Sequence, residues 1–219
     1  MTEKTAAEAK SARKIERSCI DCMVGLCDEG KGNFPEFCRT THLDGELLAE
    51  ALAEYGAEEN HRVAIAAADV EAEGYGIYPR AQEIVEFAKK LGCRKIGIAT
   101  CVGLLREARA FARLLRHHGF EVTGVACKVG STPKSAIGIS DEDCGVGEFI
   151  CNPILQAKIL NEENVDLKVV IGLCVGHDSL FYKYADGIVT TLVTKDRVTG
   201  RNPCAVLYQL DSYYSKLLK

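Results

Sequence analysis

From about residue 92 onward the chain alternates short apolar runs with longer amphipathic ones, and this alternation restricts its fold more than any other feature. The segments 94–100 (RKIGIAT), 120–127 (FEVTGVAC), 167–174 (LKVVIGLC) and 188–193 (IVTTLV) have the length and composition of strands. Helical segments separate them: GLLREARAFARLLRHHG, closing at Gly119; a helix opening at Asn152-Pro153, an asparagine cap before a first-turn proline; and a short one over 177–186. A last helix is expected over about 205–218, and 128–152 reads as a long Gly/Ser-rich loop. Strands that alternate with helices pair in parallel through right-handed crossovers. The expected fold class is therefore α/β, a Rossmann-like open parallel sheet of about four strands.

The part before residue 92 reads differently. Residues 4–17 suggest a short polar helix, and 18–40 show no helical period. Helices are expected to about Tyr55, over 59–74, and from Pro79 to Gly92. Three regions follow: a cysteine-rich metal or iron–sulfur module at 1–41, a helical connector packing on the sheet domain at 42–91, and the Rossmann-like domain at 92–219.

Cysteine is the compositional anomaly. The 219 residues are 47% apolar and 26% charged, ordinary for a globular chain, yet they include 11 cysteines. An odd number, with no apolar leader among the first 17 residues, argues against a disulfide framework and for reduced thiols in the cytoplasm. The net charge of −4 gives no reason to expect nucleic acid, and no run has the ~20 apolar residues of a membrane span. Oligomeric state is left open.

Cys19, Cys22, Cys27 and Cys38 are spaced C-x2-C-x4-C-x10-C among Gly25, Gly30, Gly32 and Pro35. The close pair places two thiolates on one turn, and the glycines let the backbone wrap so that two more arrive from other directions. Four converging thiolates suit a [4Fe–4S] cluster or a tetrahedral Zn²⁺. A structural zinc site more often has two C-x2-C knuckles, so the single knuckle followed by longer gaps favours iron–sulfur. His42 is near enough in sequence to be a fifth ligand, or simply a surface histidine at a helix start.

A second constellation emerges from where the remaining cysteines fall. Cys101 follows the first strand, Cys127 ends the second, Cys144 and Cys151 lie in the next loop, Cys174 ends the third, and Cys204 follows the fourth. All belong to the carboxyl edge of a parallel sheet, where such folds bind ligands; Cys93 belongs to the opposite edge. Cysteines at strand ends are often plain core packing. Against that reading, Cys151 precedes a helix N-terminus, which favours a thiolate, and Cys174 is followed by His177-Asp178. Cys127, Cys151, Cys174 and His177 are the expected reactive residues. Cys101, Cys127, Cys151 and Cys174 are the expected holders of any second metal or cluster. Lys128, Lys134, Lys195, Arg197 and Arg201 could balance thiolate charge or attract a small anionic molecule, or simply be solvated loop charge. No G-x-G-x-x-G, Walker loop or G-x-S-x-G elbow is present.

The segments CIDCMVGLC…FPEFC, GIATCVGLLREAR, CNPILQAKILN, GLCVGHDSLF and TTLVTKDRVTGRNP together resemble a family of cysteine-rich prokaryotic proteins of unknown function, described as metal-binding and common in anaerobes. The resemblance runs from about Cys19 to the C-terminal segment and implies a metal at the first four cysteines, but no reaction. The first motif also resembles a [4Fe–4S] motif of carbon monoxide dehydrogenases. The expected function is a redox protein with an N-terminal centre passing electrons to a thiolate-rich site on the sheet edge, served by a redox partner protein or a small anionic molecule. The alternatives are a non-catalytic metal or cluster carrier or sensor, and a zinc-stapled domain that binds a small molecule.

Overall fold

The computed structural model describes residues 17–219, with every side chain among them except those of residues 141, 143 and 144. All but the last residue of the polar helix expected over 4–17 lie outside this range, as does the side chain expected of Cys144. The chain divides into two compact units, residues 1–61 and 62–219.

In the first unit, Cys19–Asp21 form a single 3₁₀ turn, tied by the Ser18 N–H, which donates to Asp21 Oδ2 at 2.7 Å. The backbone then turns through Gly25, Gly30 and Gly32, all at positive φ, as the absence of helical period requires. Helix α1 (Gly45–Glu54) is capped by the Asp44 side chain, which accepts the Glu46 N–H at 2.9 Å. Helix α2 (Glu58–Gly74) begins here and runs into the second unit. No described residue between 17 and 61 is buried.

The second unit continues through α3 (Arg80–Lys90), β1 (Lys95–Thr100), α4 (Leu105–His117), β2 (Glu121–Ala126), α5 (Pro153–Glu162), β3 (Leu167–Ile171), α6 (His177–Tyr184), β4 (Val189–Val193) and the short α7 (Cys204–Leu207). The four strands form one parallel sheet in the order β2-β1-β3-β4, the α/β architecture that the alternating runs predict. Two helical layers enclose it. Ala108 and Ala112 of α4 face Ile98 and Thr100 on one side of β1. On the other side a β-carbon at Gly97 would meet Leu160 of α5 at 3.0 Å, and α6 packs beside α5. The core is aliphatic: Ile96, Leu115, Leu160, Leu167, Val169 and Ile171 are all excluded from water. Ile84, Val85 and Ala88 bring α3 into it, and Arg80 ties α3 to β4 by donating to Thr190 Oγ1 at 2.9 Å.

Three local expectations change. β3 ends at Ile171, because Gly172 turns the backbone to φ +66°, so Cys174 lies in a loop and not on the strand. The helix expected over 205–218 is only Cys204–Leu207, followed by turns and a 3₁₀ turn at Ser215–Leu218. Asp211, Ser212, Tyr213 and Tyr214 are weak helix formers, and no residue of the run is buried to offset them. The loop 128–152 holds 3₁₀ turns at Lys134–Ile137 and Asp141–Val146, closed by a bridge between Pro133 and Phe149.

Candidate functional site

In the N-terminal unit the sulfur-bearing residues gather around one small space. Cys19, Cys22, Cys27 and Cys38 line a cavity of about 120 Å³, walled by Leu26, Phe34, Pro35 and Phe37. Local turns bring them there. The Cys22 N–H closes on Cys19 O at 3.2 Å, Gly30 N–H on Leu26 O at 3.0 Å, and Cys38 N–H on Pro35 O at 2.9 Å. The Cys38 thiol is opposed by desolvation but held below its ordinary value by hydrogen bonds from Thr40 and Thr41. The His42 ring nitrogen Nδ1 stands 2.9 Å from Cys38 O, so it is engaged with backbone.

Among the described residues no group of three or more His, Cys, Asp or Glu side chains is arranged to hold a single metal ion. A tetrahedral zinc with Zn–S bonds of ~2.3 Å needs sulfurs about 3.8 Å apart, whereas an iron–sulfur cube spreads its four thiolates around a larger body. Four thiols lining one cavity are a donor set that either group takes.

The sheet order places the second set of thiols. The chain runs from β1 to β2, then returns past β1 to β3, so the switch point lies between the carboxyl ends of β1 and β3. Cys101 follows β1 directly and its N–H donates to Ile171 O at 3.2 Å. Cys174 lies just past β3, where its carbonyl accepts the His177 N–H at 2.9 Å and opens α6. Cys127 follows β2, and its carbonyl accepts the Asn152 N–H at 2.7 Å, which draws Cys151 to the same edge. Asn152 in turn caps α5 by accepting the Leu155 N–H at 2.9 Å. Gln156 of α5, fully buried, holds the strand ends by donating to Thr100 O at 3.1 Å and Val125 O at 2.6 Å.

Two of these sulfurs have cationic partners. Lys195 Nζ lies 3.0 Å from Cys101 Sγ, and Arg197 Nη2 lies 3.1 Å from Cys174 Sγ. Both cations come from the turn after β4, held by Asp196 Oδ1, which accepts the N–H groups of Val198 and Thr199 at 2.8 and 2.9 Å. Burial opposes ionisation of Cys101, but the Lys195 hydrogen bond and charge, the Gly103 N–H and the Cys127 thiol outweigh it and hold that thiol below its usual range. Burial, together with the neighbouring charges of Cys151 and Cys101, pushes Cys127 up to about 12. His177 is held low by burial and by Lys128 and Arg197, with Asp178 pulling the other way.

Cys101, Cys127, Cys151, Cys174 and His177 thus all stand at this edge. Cys204 is exposed in α7, and Cys93 is half-buried at the opposite edge. Of the five basic residues, Lys195 and Arg197 meet sulfur, Lys128 donates to Phe149 O, Arg201 pairs with Glu107 at 3.7 Å, and Lys134 opens a 3₁₀ turn with its N–H on Glu148 O at 2.9 Å. Gln156 and the Val102 and Gly103 amides were not foreseen. A buried glutamine in an apolar helix was the available signal for the first; backbone donors leave none.

Residues 38–192 match the family described as "Protein of unknown function (DUF1847)". The chain belongs to this family. The match contains Cys101, Cys127, Cys151, Cys174 and His177, and of the first four cysteines it contains Cys38. The chain is also 40% identical over 200 residues to the uncharacterized protein MJ0455 of Methanocaldococcus jannaschii, covering 91% of this chain and 97% of that protein. Among solved structures, Dph2 from Pyrococcus horikoshii aligns at 18% identity with a TM-score of 0.32, over 63% of this chain and 32% of that one. The chain therefore spans about a third of that structure's length. Among the described residues no helix is long and apolar enough to cross a membrane.

Proposed function

We propose that this is a thiolate redox protein of the cytoplasm. In it Cys19, Cys22, Cys27 and Cys38 hold a [4Fe–4S] cluster, and Cys101, Cys127, Cys151 and Cys174 form a reactive thiol site at the sheet's switch point. The observation that carries the reading is the pairing of Cys101 with Lys195 and of Cys174 with Arg197, at 3.0 and 3.1 Å. Cysteines that only fill space are apolar neighbours of apolar side chains. At Cys101 the cation stabilises thiolate, the form that attacks and that donates electrons.

The cluster, when bound, supplies one-electron chemistry. The rest belongs to the side chains. Lys195 holds charge on the Cys101 sulfur, His177 accepts or returns a proton, and Lys195, Arg197 and Lys128 draw an anionic molecule or an acidic patch of a redox partner to the edge. Reduced thiols in this number persist in a reducing compartment, which supports the cytoplasmic placement.

Protein purified without oxygen should contain about four irons and four acid-labile sulfides. Both should vanish in a Cys22→Ser/Cys27→Ser variant and remain in Cys101→Ser. One zinc without sulfide would overturn the cluster. Iron lost from Cys101→Ser would make the sheet edge a metal site instead of a thiol site.

A further inference from the structure

The four sheet-edge thiols are not equivalent. Thr100 pairs with Ala126 in the parallel register of β1 and β2, and the Cys127 N–H donates to Thr100 O at 2.8 Å. Cys101 and Cys127 are therefore the next residues of adjacent strands, on the same face. Neighbouring strands lie ~4.8 Å apart, within the ~4.4–6.8 Å between α-carbons that a disulfide spans. Both sulfurs accept amides from one 3₁₀ turn, Val102–Leu104: Gly103 N–H reaches Cys101 Sγ at 3.4 Å and Val102 N–H reaches Cys127 Sγ at 3.4 Å. Lys195 is on Cys101 alone.

We propose that Cys101 and Cys127 are a dithiol–disulfide pair that reduces disulfides carrying negative charge, with Cys101 attacking and Cys127 resolving. This rests on reading the sheet edge as a thiol site and is independent of the cluster. Cys101 S⁻ attacks one sulfur of R–S–S–R; a Cys101–S–S–R bond forms, the R–S–S–R bond breaks, and R–S⁻ leaves. Capping Cys101 removes the negative charge that opposed ionisation of Cys127 and frees Lys195, while the Val102 N–H already donates to the Cys127 sulfur. Cys127 passes its proton to R–S⁻ and attacks Cys101 Sγ; the Cys101–Cys127 bond forms and the second R–S⁻ departs. Two electrons have moved from the pair to R–S–S–R, which leaves as R–SH and R–S⁻. The charge preference comes from Lys195 on Cys101 and Arg197 on the neighbouring Cys174.

The test uses the full-length protein, reduced and oxygen-free, with oxidised glutathione as an anionic disulfide and cystamine as a cationic one. Wild type should form a Cys101–Cys127 cross-link, found by peptide mass mapping, with both glutathiones released. Cys127→Ser should retain one glutathione on Cys101. Lys195→Met should slow the glutathione reaction by about tenfold and narrow the preference for it over cystamine. Timed alkylation of the wild type gives the same assignment if Cys127→Ser does not fold: Cys101 should be blocked before Cys127. Glutathione on Cys151 or Cys174, or a Cys127–Cys151 cross-link, would overturn the pair while leaving a thiol site. Reaction at no sheet-edge cysteine would overturn both.

Discussion

Gly172 sits at φ +66°, where a β-carbon would also stand 2.7 Å from Leu104 Cδ2. Leu104 is fully buried and cannot swing away, so strain and overlap coincide at this position. Gly172→Ala should cost about 2–4 kcal/mol, seen as a lower urea midpoint with an unchanged slope. Leu104→Ala in the same chain should recover part of the loss by opening the space, leaving the strain of the turn. A single variant indistinguishable from wild type would mean that the turn after β3 relaxes freely. The same turn moves Cys174 off the strand and into reach of Arg197, so one glycine sets where that sulfur stands.

At the scale of elements, the amino edge of the sheet is clamped as carefully as the carboxyl edge. Asp166, before β3, accepts the N–H groups of Arg94 and Lys95 at 2.7 and 2.8 Å and so fixes the start of β1 against β3. Desolvation raises this carboxyl, but the two amides and the Arg94 charge lower it further, and the net shift is downward. A depressed carboxylate contributes stability that is present above its unfolded value of about 3.9 and is lost as pH falls through the folded value. Asp166→Ala should therefore lower the thermal midpoint at pH 7, and the gap to wild type should shrink below about pH 4. An equal gap at pH 3 and pH 7 would show that the charge has no part in the clamp. Strand positions were legible because apolar runs of strand length alternate with amphipathic helices. The 205–218 segment misled because its apolar spacing is helical while its residues find nothing to pack on.

For the whole molecule, the two units differ in how much they bury. Residues 62–219 enclose an aliphatic core, whereas no described residue between 17 and 61 is buried. If a cluster joins the four N-terminal cysteines, its removal should loosen only that unit. Stripping iron with a chelator, followed by hydrogen exchange, should speed amide exchange in 17–61 and leave the strands of 62–219 protected. Unchanged protection in 17–61 would mean that the module holds together without metal. The sequence by itself determined the α/β class, the four strands, the cysteine-rich module and the arrival of several thiols at one sheet edge, because all of these follow from periodicity and from the direction of parallel strands. Tertiary structure alone decided which thiols pair with which cations, that Cys101 and Cys127 share one amide turn, and that Gln156 holds their strands together. Lys195 and Cys101 are 94 residues apart in the chain and meet only through the strand order and the Asp196 turn. Such contacts depend on long-range packing, and no local pattern of residues encodes them.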